Sequence, residues 1–261
     1  MKVQLLIIDT QFDFCDPEGA LYVPGAEKDC RCLADFIDKN GRALDKIHVT
    51  MDAHLPYHIA HPLFWKTRDG KHPDPFTVIT SEDIANKKFL PAETAYAEYA
   101  SYYVSELERK GKYKLCIWPP HCLIGSIGQT LEKNVFYALK RWQEDNIGKT
   151  VDYVAKATSP FTEQYSAIQA EIPIKNDPST GPNKKLIEDL GSADRIIVAG
   201  EALSHCVANT VRDLLKYIEP SRFTLLTDCS SSVGGFEDEG GAFVEEIKKS
   251  GAETATSDIR L

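Results

Sequence analysis

The sequence predicts an α/β fold: a mainly parallel sheet of about six strands with helices on both faces, folded as one domain. Three observations lead there. Short β-branched or leucine-rich runs alternate with longer stretches of helical periodicity, the order that gives parallel strands joined by crossover helices. Several of the short runs are apolar at both alternating positions, as strands covered on both faces must be. The 261 residues are 43% hydrophobic and 26% charged, an ordinary globular balance with enough apolar matter for one sizeable core.

Strands are expected at 3–8, 46–51, 114–117, 152–154, 195–199 and 222–226, with a weaker one near 253–256. Helical patterns fill 27–39, 92–110, 128–143, 183–190, 204–218 and 239–250. Asp177-Pro178 and Gly181-Pro182 break the chain before the fourth helix, and Gly191 and Gly251 end the fourth and the last. The stretch 54–91 is irregular and rich in Pro, His and aromatics, so an inserted loop and helix region is expected over about 60–111. The tyrosines of 96–104 suit a packing face or a subunit contact.

Composition excludes several functions. Lys and Arg number 30 against 39 Asp and Glu, and no basic stripe offers itself to a phosphate backbone, which argues against nucleic acid. No apolar run approaches the ~20 residues of a membrane helix. The N-terminal run at 3–8 holds Gln4 and stops at Asp9, too short for a signal-peptide core, so a cytoplasmic protein is expected. The cysteine count of 7 is odd and no Cys-x-x-Cys occurs, which favours reduced thiols over a disulfide framework or a zinc ribbon. Cys30, Cys32, Cys116 and Cys229 read as structural.

Ligands of an open parallel sheet bind beyond the carboxyl ends of the strands. Asp9 follows the first strand, Asp52-Ala53-His54 the second, Trp118-Pro119-Pro120-His121-Cys122 the third, Lys156 the fourth and Gly200-Glu201-Ala202-Leu203-Ser204-His205-Cys206 the fifth. Cys206 falls in the first turn of a helix opening near Ser204, where the dipole and a nearby Lys156 favour a thiolate; a small buried hydrophobe is the plain alternative. Asp9 suits a proton acceptor for that thiol, or a turn carboxylate, and Lys156 a buried cation, or a solvated strand end. Asp52 and His54, two apart in an extended segment, point the same way, and with His121 they make a three-ligand metal set; His58, His61 and His72 are further candidates. His205 reads as a packing or helix-start residue. Gly125-x-x-Gly128 lacks a dinucleotide context, and 230–235 reads as a surface turn.

These residues carry a resemblance. The run Leu6-Ile7-Ile8-Asp9-Thr10-Gln11-Phe12-Asp13-Phe14-Cys15, with Asp52-x-His54, Trp118-Pro119-Pro120-His121-Cys122, Lys156 and Gly200-x-Ala202-x-x-His205-Cys206-Val207, resembles the isochorismatase-like cysteine hydrolases, most closely their nicotinamidase branch. The resemblance spans nearly the whole chain. It implies a doubly wound, Rossmann-like sheet and a catalytic triad of Asp9, Lys156 and Cys206. It further implies a divalent metal, zinc first and iron or manganese otherwise, on Asp52, His54 and His121, with His58 at the position of an additional ligand or supporting group. A cis peptide at Glu201–Ala202 is implied, aiming the N–H groups of Ala202 and Cys206 at an oxyanion, with Phe14 and Trp118 as aromatic walls around a substrate ring. Homo-oligomers are common in the family.

The implied reaction is hydrolysis of a small, nicotinamide-like amide to carboxylate and ammonia through a thioester. Departures lie in Ser204-His205, where an acid followed by Tyr or His is common, in Glu201, where an apolar residue is common, and in the long 60–111 segment. They leave open a different C–N substrate within the superfamily. A catalytically silent binding protein on the same fold is the third reading, against which the intact Asp9, Lys156 and Cys206 count.

Overall fold

The computed structural model describes residues 1–111 and 113–261. Strands β1 (Val3–Ile8), β2 (Lys46–Asp52), β7 (Val151–Lys156), β8 (Arg195–Gly200), β9 (Phe223–Leu226) and β10 (Glu253–Ala255) form one sheet in the order β10-β9-β8-β1-β2-β7, every neighbouring pair parallel. β1 is buried at all six positions, which is why its sequence is apolar on both sides of the pleat.

The expected strand at 114–117 is not in this sheet. Only β6 (Leu115–Cys116) forms there, and it pairs antiparallel with β4 (Val78–Ile79) in a two-stranded ladder. β3 (Trp65–Thr67) and β5 (Phe89–Pro91) make a second ladder, so the inserted region holds strands that its Pro-rich sequence conceals. The sixth place is taken by β10, whose Glu-Thr-Ala sequence signals an edge strand weakly.

The six expected helices form with shifted ends, and two short ones that were not expected join them, at Phe12–Cys15 and Ser81–Ala85. α1 (Phe12–Cys15) is a single turn; α2 (Ala26–Asn40), α3 (Ser81–Ala85), α4 (Ala97–Lys110), α5 (Lys133–Asp145), α6 (Lys184–Gly191), α7 (Ala208–Leu214) and α8 (Glu237–Ser250) follow. Tyr103 on α4 is fully buried and Tyr99 packs on Phe161, so the tyrosine segment serves packing. α8 ends on Gly251 in the left-handed region (φ +99°), as glycine at that position permits.

The order of the strands locates the crevice. From β1 the chain moves outward through β2 to β7, then returns to the other side of β1 for β8, β9 and β10. Right-handed crossovers running in opposite directions put their helices on opposite faces and open a gap above the reversal, between the carboxyl ends of β1 and β8.

Candidate active site

Asp9 leaves β1 directly above that gap, because Ile8 is in register with both Thr50 of β2 and Gly200 of β8. Its φ is +48°, a left-handed conformation uncommon outside glycine. Thr50 Oγ1 donates to Asp9 Oδ1 at 2.6 Å, and Asp9 Oδ2 lies 2.9 Å from Lys156 Nζ. Across the sheet, Asp52 and Lys156 are register partners, so their side chains rise on the same side. Lys156 Nζ donates to Asp52 Oδ1 at 2.6 Å and to the Gln164 carbonyl at 3.0 Å, and stands 3.6 Å from Cys206 Sγ. One oxygen each of Asp9 and Asp52 lies within 4.8 Å of that sulfur and of each other. Residues from positions 9, 52, 156 and 206 are thus in mutual reach.

All four groups are buried. Burial raises Asp9 to about 6, with the Lys156 ammonium and the Thr50 hydroxyl opposing it. For Asp52 burial also acts upward, but Lys156 and His54 outweigh it and hold the carboxyl well below its ordinary value. Lys156 is pulled down by burial and carried well above its ordinary value by Asp52 and Asp9. Cys206 overturns the thiolate expectation. Burial pushes the thiol up further than Lys156 lowers it, and Asp9 and Asp52 push it up again. Burial and the two carboxylates thus favour a thiol over a thiolate at Cys206.

The local backbone differs from the expected helix start. Residues Leu203–Val207 form a single π-turn ahead of α7, with Val207 N–H donating to the Ala202 carbonyl at 3.1 Å. Such turns are rare and often lie at functional sites. The Glu201–Ala202 peptide is cis, and the Ala202 N–H makes no hydrogen bond among the described residues. Gly200, at φ +116°, lies so close to β1 that a Cβ would sit 2.0 Å from the Ile8 carbonyl oxygen. Only glycine fits there.

The 230–235 segment, expected to be a surface turn, packs against this loop instead. Leu203 N–H donates to the Ser231 carbonyl at 2.7 Å, Ser230 Oγ to the Gly200 carbonyl at 2.6 Å, and Val233 N–H to Ser204 Oγ at 3.1 Å.

Beside Cys206 lies a histidine pocket. Asp52 Oδ2 is 3.6 Å from His54 Nε2 and 4.0 Å from His121 Nε2, and ligand atoms of Asp52, His54 and His121 all fall within 4.8 Å of one another. His54, His58 and His61 form a second such triad sharing His54. The two further histidines are not equivalent. His58 is spoken for: its Nε2 bonds the Thr162 carbonyl and its Nδ1 takes the Ala60 N–H, each at 3.2 Å. Both ring nitrogens of His61, and Nδ1 of His54, are fully buried without a hydrogen-bond partner. Buried orphans of this kind want a proton donor or a cation. Burial and His54 push His61 down to about 3, so it stays a neutral donor atom. His72 bonds the carbonyls of Pro62 and Trp65 and joins neither triad.

Several functional residues escape a reading of the sequence. Gln11 clamps the Asp52 backbone, donating to its carbonyl at 2.9 Å and accepting its N–H at 2.6 Å. Asp13 Oδ2 accepts the Cys122 N–H at 2.6 Å and so pins the His121 loop, while Gly128 leaves room for that carboxylate: a Cβ would be 2.0 Å from it. Glu163 lines the same cavity as Cys206, Phe14, Trp118 and His121, with burial raising its carboxyl. His205 lines it too, ringed by Trp118, Tyr165 and Phe236, rather than serving only to start a helix. The cavity holds about 30 Å³, room for about two waters. A larger groove of about 710 Å³ between α2, α5 and the C-terminus lies elsewhere, and its Arg141 is already paired with Asp38.

Nicotinamidase of Saccharomyces cerevisiae is 26% identical over 206 residues, covering 79% of this chain and 78% of that protein. The resemblance to the nicotinamidase branch of the isochorismatase-like superfamily holds in sequence and in fold. The yeast nicotinamidase structure superposes with a TM-score of 0.67 at 21% identity, covering 97% of this chain and 99% of that one. A Leishmania infantum protein solved with nicotinate gives 0.62 at 22% identity, covering 100% and 95%. The pyrazinamidase of Pyrococcus horikoshii, solved with zinc, gives 0.57 at 20% identity, covering 98% and 99%. No family model matches the sequence. Among the described residues no helix is long and apolar enough to cross a membrane.

Proposed function

We propose that this chain is a cysteine amidohydrolase that cleaves nicotinamide, or a close aromatic amide, to the carboxylate and ammonia. One observation carries the reading: Lys156 Nζ joins Asp9, Asp52 and Cys206 in a dry cluster at the sheet's reversal point, against an aromatic-walled cavity.

Asp9, raised to about 6, is largely ionised at neutral pH yet basic enough to accept a proton. It takes the Cys206 proton while the sulfur bonds to the amide carbon. Lys156 stays protonated throughout and offsets the negative charge that moves from Asp9 to the sulfur and the carbonyl oxygen. The N–H groups of Ala202 and Cys206 receive the oxyanion; one such donor is worth about 3–4 kcal/mol in comparable sites. Asp9 then protonates the nitrogen as the C–N bond breaks, ammonia leaves and a thioester remains. Water attacks the thioester, giving its proton to Asp9, which returns it to the sulfur as the acid departs.

Asp52, His54 and His121, with His61 in preference to His58, suit a divalent ion of the zinc, iron or manganese kind, since nitrogen and carboxylate donors fit all three. Such an ion supplies a Lewis-acid anchor for a substrate ring nitrogen. The relatives solved with nicotinate and with zinc support both parts of this reading. A homo-oligomer, implied by the resemblance, and a cytoplasmic location, expected from the sequence, belong to the same proposal.

The test is ammonia release from nicotinamide, with Cys206→Ala as control. Release lost in the variant supports the proposal. Turnover that survives it refutes the thioester. A second reading, another C–N substrate in the same site, draws on the tight cavity and on Glu163 and His205 in its wall. Alkylation of Cys206 without nicotinamide turnover would favour it, and a thiol resistant to alkylation would favour a silent binding protein.

A further inference from the structure

Behind the 200–203 loop, on the side away from the cavity, two carboxyl groups converge on one residue. Glu201 is completely buried, and its Oε2 accepts the Ser231 N–H at 3.0 Å. Asp29, in the first turn of α2 and also buried, accepts the Ser231 hydroxyl through Oδ2. Glu201 Oε1 is sealed from solvent with no partner within ordinary hydrogen-bond geometry. Two carboxylates cannot share so dry a place unless one carries a proton.

We infer that Glu201 and Asp29 share one proton, and that this acid pair is a positioning device holding the 201–202 peptide against α2 and the 229–233 strap. The inference rests on the amide-hydrolase reading for its catalytic consequence and is independent of it for the proton.

Three features support it. First, the groups facing the pair offer no other means of neutralisation in contact. Cys15 of α1 and Cys30 of α2 adjoin it, Ser231 donates to both carboxyls, and among α2 neighbours Glu27 opposes Lys28. Second, burial and then Asp29 drive Glu201 well above the ordinary carboxylate range; burial raises Asp29 too, but the Ser231 hydroxyl and Glu201 act downward on it, so the proton resides mainly on Glu201. Third, the strap leaves little slack. Leu203 and Gly200 are bonded to residues 231 and 230, Glu201 N–H donates to the Ile8 carbonyl at 2.7 Å, and a Cβ on Gly25 would stand 3.2 Å from Ser231 Oγ. With its ends fixed, the remaining freedom of the loop is rotation of the 201–202 peptide, and the Glu201 side chain resists it from behind. The Ala202 N–H belongs to that same peptide, and Ala202 lines the cavity, so fixing the peptide fixes that donor beside Cys206. Misplacement of a reacting group by about 1 Å costs on the order of 100-fold in rate.

The experiment compares Glu201→Ala, Glu201→Gln, Asp29→Ala and Asp29→Asn. Nicotinamide hydrolysis is followed as kcat and KM separately, and infrared difference spectra at neutral pH are taken on the same proteins. Glu201→Ala and Asp29→Ala are expected to lower kcat about 10- to 100-fold with KM changed less than about threefold. Glu201→Gln keeps a donor toward Asp29 and an acceptor for Ser231, and Asp29→Asn supplies a donor in place of the proton. Both should restore kcat to within about threefold of wild type. The infrared spectrum should show a protonated-carboxyl band that Glu201→Gln removes. If Glu201→Gln is as slow as Glu201→Ala, or if kcat is unmoved in every variant, the positioning role is refuted. Absence of the band overturns the shared proton. Should the alanine variants fail to fold, the two amide variants and the band still decide. Should wild type release no ammonia, the amide-hydrolase reading fails while the band continues to test the pair.

Discussion

Replacing Lys156 by Met keeps the length of the stem and deletes the charge that holds Asp9 and Asp52 together. The two ion pairs span 2.9 and 2.6 Å in a site with almost no water. At an effective dielectric constant of about 20, each is worth roughly 6 kcal/mol of Coulomb energy, before desolvation takes most of it back. Breaking such a pair by removing one member costs about 3–5 kcal/mol, because the partner is left charged and buried. The loss is a large part of a typical folding free energy of about 5–15 kcal/mol, so a marked fall in the denaturant midpoint is expected. The catalytic effect has its own sign. Lys156 acts downward on Asp9, whose carboxyl stands at about 6. Without the ammonium, the acid limb of kcat/KM moves to higher pH, by roughly two units if about 3 kcal/mol of the interaction is lost. At pH 7 most of the base is then protonated, and the sulfur has also lost the cation 3.6 Å away that favoured its thiolate. A fall in kcat/KM of about 10³-fold or more is expected from the two losses together. The assay is ammonia release from pH 5 to 9, paired with iodoacetamide labelling of Cys206 over the same range. A folded Lys156→Met protein with wild-type turnover and an acid limb still near pH 6 would falsify the assignment.

Thr50→Val removes the hydroxyl that donates to Asp9 Oδ1 at 2.6 Å. A hydrogen bond to a charged acceptor is worth about 1.5–3 kcal/mol, so the acid limb of kcat/KM should move to higher pH by about one to two units. His61→Ala should weaken binding of zinc, added to metal-stripped protein and followed by calorimetry, by at least about tenfold. His58→Ala, which breaks only bonds to Thr162 and Ala60, should lower the melting temperature and leave zinc affinity within about threefold. The reverse order would exchange their roles. Gly200→Ala forces a Cβ against the Ile8 carbonyl at a φ of +116°, and a loss of about 2–4 kcal/mol in urea unfolding is expected.

What the sequence reveals of this fold depends on where a strand sits. β1 and β8 are buried almost throughout, so their runs are apolar at every position and their ends can be placed to within a residue. Leu115–Cys116 has the same local signature but pairs only with Val78–Ile79, because apolar character reports burial and not which strand is the partner. β10 lies at the sheet edge, where few side chains need be apolar. The convergence of Asp9, Asp52, His54, Lys156 and Cys206 was legible because each follows a strand of one parallel sheet, whereas His121 comes from a loop after β6, outside that sheet. Choosing between His58 and His61 was not legible. That choice turns on the Thr162 carbonyl, 104 residues from His58, which satisfies one imidazole and leaves the other bare. Glu163, Asp13 and the Ser231 clamp were hidden for the same reason: their partners are brought together only by the tertiary fold.

Asp52 links the two halves of the site. Its Oδ1 is held by Lys156, and its Oδ2 faces His54 and His121. Gln11 fixes its backbone on both sides, and the two carboxylate oxygens are divided between Lys156 and the histidines. Any cation taken up by the histidines must therefore share a charge that also holds Lys156 up in its protonated state. An ion held there would draw on Asp52 and leave Lys156 more dependent on Asp9, 2.9 Å away, which would lower the Asp9 carboxyl from about 6. The emptied pocket does the opposite. On the function proposed above, ion binding and nucleophile activation would be coupled through this one carboxylate, because it holds Lys156 and faces both histidines.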